Sequence, residues 1–210
     1  MNLERLENEL KKRLQYPYSW GRKQNNYYDG LTNFIYEIES FDELSEVIKR
    51  NFSDKSDYDN FLNYALNRWF NFWSAKGVEE IFCSSSNVKA EKNKRDKIVD
   101  FYIDDISFDH KTSIFPKGYN VTFEDALSNP GDLCKWLYEN QSQEQRKHLK
   151  NRLFIVLYAK DGEHWKLKAE ISLLKSKVED YVKNFNQNNL IKITLEEESI
   201  TLSDIIWMIK

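Results

Sequence analysis

Apolar positions at the start of the chain recur every three or four residues. Leu3, Leu6, Leu10 and Leu14, with charges between them, predict an amphipathic helix. A loop from Gln15 to about Asn26 follows, with Tyr16, Trp20, Arg22 and Lys23 in it and Tyr27 and Tyr28 at its end. Rings interleaved with cations can stack on nucleic acid, although rings that plug the seam between helices are the commoner arrangement. Phe34, Ile35 and Ile38 predict a second helix and Phe41 to Ile48 a third. The strongest stripe is Phe61, Leu62, Ala65, Leu66, Trp69, Phe70 and Trp73, a packing face that Gly77 is expected to terminate.

After Gly77 the spacing reads as period 2. Val78 to Cys83 is expected as a short strand, and Ser84 to Lys97 as a polar loop. Ile98 to Ile103, Asp104-Asp105 and Ile106 to Ser113 predict a hairpin with a two-residue loop. Pro130 opens a helix with Leu133, Trp136 and Leu137 on its buried face. Ser142-Gln143-Glu144-Gln145 has the form of a capping box, predicting a helix to about Lys150. Leu153 to Tyr158 is a continuous apolar run, as in a strand buried on both faces. Asp161-Gly162 is expected to turn it into an alternating strand through Trp165, Leu167, Ala169 and Ile171. Ser172 is expected to cap a helix carrying Leu174, Val178, Tyr181, Val182 and Phe185. Leu190 to Leu195 reads as a last strand, and Ile205 to Ile209 as a closing helix or strand.

At 210 residues, 40% hydrophobic and 31% charged, the chain has the balance of a globular domain rather than a disordered one. A net charge of −3 excludes a uniformly basic nucleic-acid coat while leaving room for a local basic groove. Cys83 and Cys134 lie far apart and form no metal motif. The charged start has no apolar signal region and no window forms a membrane span, so a cytoplasmic location is expected. The triplets at Asn51, Asn120 and Asn140 are then chance matches to a glycosylation signal.

The hairpin carries the candidate chemistry. With Asp104-Asp105 as its loop, Ile103 faces Ile106, Tyr102 faces Ser107, Phe101 faces Phe108 and Asp100 faces Asp109. Val99, Phe101, Ile103, Ile106 and Phe108 then share a core face, and Asp100, Asp109 and Lys111 the opposite one. Like charges in register destabilise a strand pair, whereas a hard divalent cation would use both carboxylates as ligands. On that expectation Asp109→Asn leaves the metal-free protein at least as stable as the wild type.

Asp100, followed on the next strand by Asp109-His110-Lys111 and then Thr112-Ser113, resembles the PD-(D/E)XK superfamily of restriction-endonuclease-like nucleases. The order helix, short strand, two motif strands, helix and buried strand over roughly Tyr58 to Ala159 resembles that family too. The resemblance implies an α/β fold with a restriction-endonuclease-like core, a mixed central sheet flanked by helices, to which the helical spacing of the early residues adds an N-terminal helical region. The helical region is expected over 1–76 and the core over 77–210, packed as one compact unit. It further implies metal-dependent hydrolysis of DNA, with Asp100, Asp109 and the His110 carbonyl on Mg²⁺ (Mn²⁺ substituting) and Lys111 orienting the water. A further acid comes from Glu79 or Glu80, with Glu80 the first choice. The His110 side chain departs from the usual apolar residue and is expected to point to the core.

Phosphate contact is expected from Lys89, Lys92, Lys94, Arg95 and Lys97 and from Arg146, Lys147, His148, Lys150 and Arg152. Gln141, Gln143 and Gln145 are candidates for base contacts. A stand-alone chain of this size most resembles a type II restriction or similar defence nuclease, acting as a homodimer with a cognate methyltransferase encoded nearby. The rival expectations are a non-catalytic nucleic-acid- or partner-binding protein of the same fold and an RNA-directed nuclease.

Overall fold

A computed structural model describes residues 1–93, 99–140, 150–194 and 200–210. The chain divides into two compact units, one of residues 1–78 with 168–172 and one of residues 79–167 with 173–210.

The first unit is helical. α1 (Leu3–Lys12) is capped by the Asn2 side chain and buries Leu6 and Leu10. α2 (Asn26–Leu31) is followed by a 3₁₀ turn over Asn33–Tyr36, so the expected second helix is split, and α3 (Phe41–Phe52) is capped by Ser40. α4 spans Tyr58–Cys83, and its residues through Val78 belong to this unit. Rings of the loop after α1 pack inward: Tyr16 lies against Phe41, Trp20 against Tyr64. Tyr28 lies against Phe61 and Tyr64. The Trp69 and Trp73 indoles donate to the carbonyls of Ile38 and Ile35, which holds α4 to the segment before α3.

Gly77 does not end α4. A Cβ there would stand 2.8 Å from Leu6 Cδ2 and 3.1 Å from Ile171 Cδ1, so the glycine permits close approach instead. Val78, Ile81 and Phe82, expected on a strand, sit at i, i+3 and i+4 of the continuing helix, where all three are buried. Ser172 lies inside the first turn of α7 (Ile171–Lys183) rather than before it, and donates to the Glu7 carboxylate.

The second unit is a mixed six-stranded sheet flanked by helices, an α/β fold. Its strands are β1 (Val88–Ala90), β2 (Phe101–Ile103), β3 (Ile106–Ile114), β4 (Arg152–Tyr158), β5 (Ile191–Thr194) and β6 (Ile200–Ile209). They run in the order β1-β2-β3-β4-β6-β5. β3, β4 and β6 are parallel, and the other pairs antiparallel. α5 (Phe123–Ser128) and α6 (Pro130–Asn140) cover one face, burying Leu133, Cys134, Leu137 and Tyr138 on Phe154, Val156, Ile193 and Ile205. On the other, Phe82 at the end of α4 stacks on Phe101, and Tyr181 of α7 bonds Asp204.

Three further expectations change here. The first strand falls at Val88–Ala90, inside the stretch expected as a loop; three residues with one buried side chain give no periodic signal. The Trp165–Ile171 stretch begins as a 3₁₀ segment (His164–Ala169), not a strand. Both edges of β4 are already paired, to β3 and β6, so a strand returning beside it has no open neighbour. Ile205 to Ile209 is the end of β6, which settles that ambiguity as strand. The Ser142–Gln145 capping box lies outside the described residues. Among the described residues no helix is long and apolar enough to cross a membrane.

Candidate functional site

The hairpin turn forms where expected. Asp104 and Asp105 both take left-handed backbone, with φ of 47° and 66°, the geometry that a two-residue loop between twisted strands requires. Ile103↔Ile106, Tyr102↔Ser107 and Phe101↔Phe108 pair in the expected register.

One residue further the register breaks. Asp100 also turns its N–H to the Phe108 carbonyl (2.9 Å), so Asp100 and Phe101 both stand opposite Phe108 in a β-bulge. β2 leaves β3 at this point. Asp100 Oδ2 accepts the His110 N–H (2.8 Å) that the ladder no longer uses, and meets His110 Nδ1 at 2.7 Å. The expected opposition of Asp100 to Asp109 is therefore corrected: the two carboxylates take different neighbours.

Asp109 is buried in the opposite pleat direction from His110. Its Oδ2 accepts from Arg152 Nε at 2.9 Å, and its Oδ1 from Lys111 Nζ at 2.8 Å. Arg152 is its register partner on β4. The Arg152 guanidinium lies over the Tyr138 ring, 5.1 Å from the centroid, and Tyr138 donates to the Lys150 carbonyl. Asn151 ties three strands at this end. Its carbonyl accepts the Asp109 N–H, its amide donates to Ser107, and its side-chain oxygen accepts from Leu202.

Burial pushes the Asp100 carboxyl up. The His110 ring hydrogen bond, the His110 charge, the His110 N–H and the Lys111 charge outweigh burial and leave it below the usual aspartate value. Asp100 is thus held as a carboxylate at neutral pH. Both of its hydrogen bonds fall on Oδ2, and Oδ1 has no hydrogen-bond partner among the described residues.

The remaining candidates are placed as follows. His110 is buried, its ring against Phe82 and Phe101, as its core-facing expectation requires. Glu79 and Glu80 lie on α4, not on a strand. Glu80 is exposed, whereas Glu79 is half-buried one turn before Phe82, the side of the helix that meets His110. Lys89 is exposed and pairs with Asp105 at the hairpin turn, and Lys92 is exposed. Lys94, Arg95, Lys97, Arg146, Lys147 and His148 lie outside the described residues, as do Gln141, Gln143 and Gln145. Arg152 is not a phosphate contact, because it is buried against Asp109.

Sequence reasoning placed Arg152 among the phosphate contacts and missed it as the partner of Asp109, and it missed Asn151. A charged residue opening a continuous apolar strand signals a buried counter-ion, and that signal was legible at Arg152. Nothing in the sequence marks Asn151.

As donors for a divalent ion, Asp100 Oδ1, Asp109 Oδ1 and the His110 carbonyl form an all-oxygen set. The carbonyl points to the same strand edge as the His110 N–H that Asp100 holds. Among the described residues no group of three His, Cys, Asp or Glu side chains is gathered as a metal cluster. Two carboxylates with a carbonyl and water nevertheless suit Mg²⁺, which is commonly held by one or two carboxylates. In this structure the donors are not gathered about one point, because Asp109 turns away from the His110 ring that meets Asp100 and has its oxygens on Arg152 and Lys111.

No family model, curated protein or solved structure matches the chain.

Proposed function

We propose that the chain is a metal-dependent nuclease of the PD-(D/E)XK type that hydrolyses DNA phosphodiester bonds in the cytoplasm. The observation that carries this reading is the departure of β2 from β3 at Asp100. It leaves the Asp100 carboxylate and the His110 main chain together at one edge of β3. Lys111 holds the neighbouring Asp109 with its ammonium, and its charge reaches Asp100 as the smallest of the effects on that carboxylate. The element order α4, β1, β2, β3, α5–α6, β4 supports the same reading.

Asp100, Asp109 and the His110 carbonyl would hold the divalent ion once Asp109 is released from its cations. When bound, the ion supplies Lewis-acid polarisation of the scissile phosphate. Lys111 is half-exposed, and on leaving Asp109 it orients water and offsets the charge that develops on the phosphate. The water oxygen bonds to phosphorus, the bond to one ester oxygen breaks, and the leaving oxygen takes up a proton. Glu79, from its place on α4, replaces Glu80 as the candidate further acid. A two-fold dimer suits cleavage of both strands of a symmetric site, and a methyltransferase would protect host DNA.

One observation favours a second reading. Asp109 has both oxygens on cations, which is also how a non-catalytic binding protein would neutralise a buried carboxylate. Plasmid DNA and tRNA offered with Mg²⁺ or EDTA separate the two. Metal-dependent cutting, lost at least 100-fold in Lys111→Ala with circular dichroism unchanged, is the expected result. Cutting by the variant at the wild-type rate sinks the mechanism, and no cutting by the wild type leaves the binding protein.

A further inference from the structure

We propose that the outer edge of β6 docks a second copy of this chain, the two β6 strands pairing antiparallel about a two-fold axis at Met208. β6 is 10 residues long, but β5 pairs with it only from Ile200 to Ser203. β4 takes its other side from Ser203 to Ile209. Beyond Ser203 the outer side of β6 has no strand beside it among the described residues.

The bonds on the inner side fix which residues face outward. Leu202 donates its N–H to the Asn151 side chain and Lys210 to the Tyr158 carbonyl, so even-numbered residues turn towards β4. Successive residues of a strand alternate in this respect, and the odd-numbered ones therefore turn outward. The Ile205 N–H is already taken, by Asp204 Oδ1 at 2.8 Å. The N–H and C=O groups of Trp207 and Ile209 have no hydrogen-bond partner among the described residues. That cap on Ile205 sets the register. The outward ladder starts at Trp207, which pairs with Ile209 of the second copy, while Ile209 pairs with its Trp207. Every outward group of these two residues then has a partner.

Side chains and charge fit the same partner. Ile209 is 40% exposed, Trp207 is half-buried, and no proline or charge interrupts the edge between Asp204 and Lys210. Asp204 has its oxygens on the Ile205 N–H and the Tyr181 hydroxyl, with no cation in ion-pair range among the described residues. Burial pushes its carboxyl up, a cost that a cation relieves. In the two-fold register the exposed Lys210 of the second copy stands beside Ile206, on the same face as Asp204 and diagonal to it. Diagonal neighbours lie roughly 7–8 Å apart, within reach of a lysine. This match selects a second copy over an unrelated extended segment.

The surface suits the two-fold dimer of the nuclease reading, but it stands on the sheet alone, and its test uses neither metal nor nucleic acid. Sedimentation equilibrium of the full chain in EDTA at low salt is expected to show a monomer–dimer equilibrium with a micromolar Kd, in keeping with a small interface. Ile209→Pro removes an outward N–H and leaves the β4 ladder alone, and Lys210→Glu brings like charges together. Each is expected to weaken dimerisation at least about 10-fold with circular dichroism unchanged. A dimer that either folded variant leaves at wild-type strength overturns the proposal. So does a monomeric wild type, which leaves the edge to an extended peptide of another protein. Should Ile209→Pro not fold, Lys210→Glu decides alone, because its side chain is exposed.

Discussion

Asp109 shows how a single side chain changes meaning between chain and fold. Opposed to Asp100 it would carry a like-charge penalty, and replacing it with asparagine would cost nothing. Paired with Arg152 it is instead the neutralising partner of a buried cation. Removing one member of such a pair leaves the other charge uncompensated, at about 3–5 kcal/mol. Asp109→Asn is accordingly expected to lower stability by an amount near the lower end of that range, since the amide oxygen still accepts a hydrogen bond. Urea unfolding at pH 7 in EDTA measures it. A variant as stable as the wild type would restore the like-charge account.

At the scale of the element, the hairpin turn carries a local conflict. Asp104 and Asp105 adopt left-handed backbone, which costs L-residues other than glycine roughly 1–2 kcal/mol each, less for Asp. Asp-Gly is the preferred pair for such a turn. Asp105→Gly loses only an exposed ion pair with Lys89, which water and salt screen. The substitution should raise stability by about 0.5 kcal/mol and leave the β2–β3 register unchanged. A fall in melting temperature would mean that the Lys89 pair outweighs the backbone term. β2 is short for a related reason. Its ladder with β3 ends where the bulge gives the His110 N–H to a side chain, so the element's boundary and the candidate site share one cause.

For the molecule as a whole, pH is a global probe because burial moves a cation down and neutral acids up. Lys168 donates to Asn71 Oδ1, and burial pulls its ammonium down to about 8. The folded state therefore prefers neutral Lys168, while the unfolded chain stays protonated to its ordinary value near 10.5. Between those values the unfolded state binds more protons, so this group adds stability as pH rises. Burial raises the Cys134 thiol to about 12 and Tyr138 to about 12, and these groups act in the opposite direction above their ordinary values of 9.0 and 10.0. From pH 8 to 9 the Lys168 effect leads, with Cys134 beginning to act against it, and the difference between wild type and a Lys168 variant reads Lys168 alone. There the wild type should gain about 1 kcal/mol, and Lys168→Met should lose that gain. Equal slopes for the two proteins would show that Lys168 titrates normally.

The order of residues alone determined what depends on near neighbours. Leucines at helical spacing made α1, Pro130 opened α6, an uninterrupted apolar run made β4, and the two-residue turn set the register from Ile103–Ile106 to Phe101–Phe108. Each of these follows from steric preference and periodicity over a few residues. Tertiary structure decided the rest. Whether Val78–Cys83 continued a helix or started a strand depended on what Phe82 would meet, and it met Phe101. Whether Trp165–Ile171 could be a strand depended on whether β4 had a free edge, and it had none. The candidate site divides in the same way. Asp100, Asp109 and Lys111 were legible as a motif, because two strands joined by a tight turn are near neighbours. That Asp100 would leave the ladder for His110, and that Asp109 would meet Arg152 forty-three residues on, was not. A buried charge takes its partner from whichever strand packs beside it, and that strand is chosen by the whole sheet.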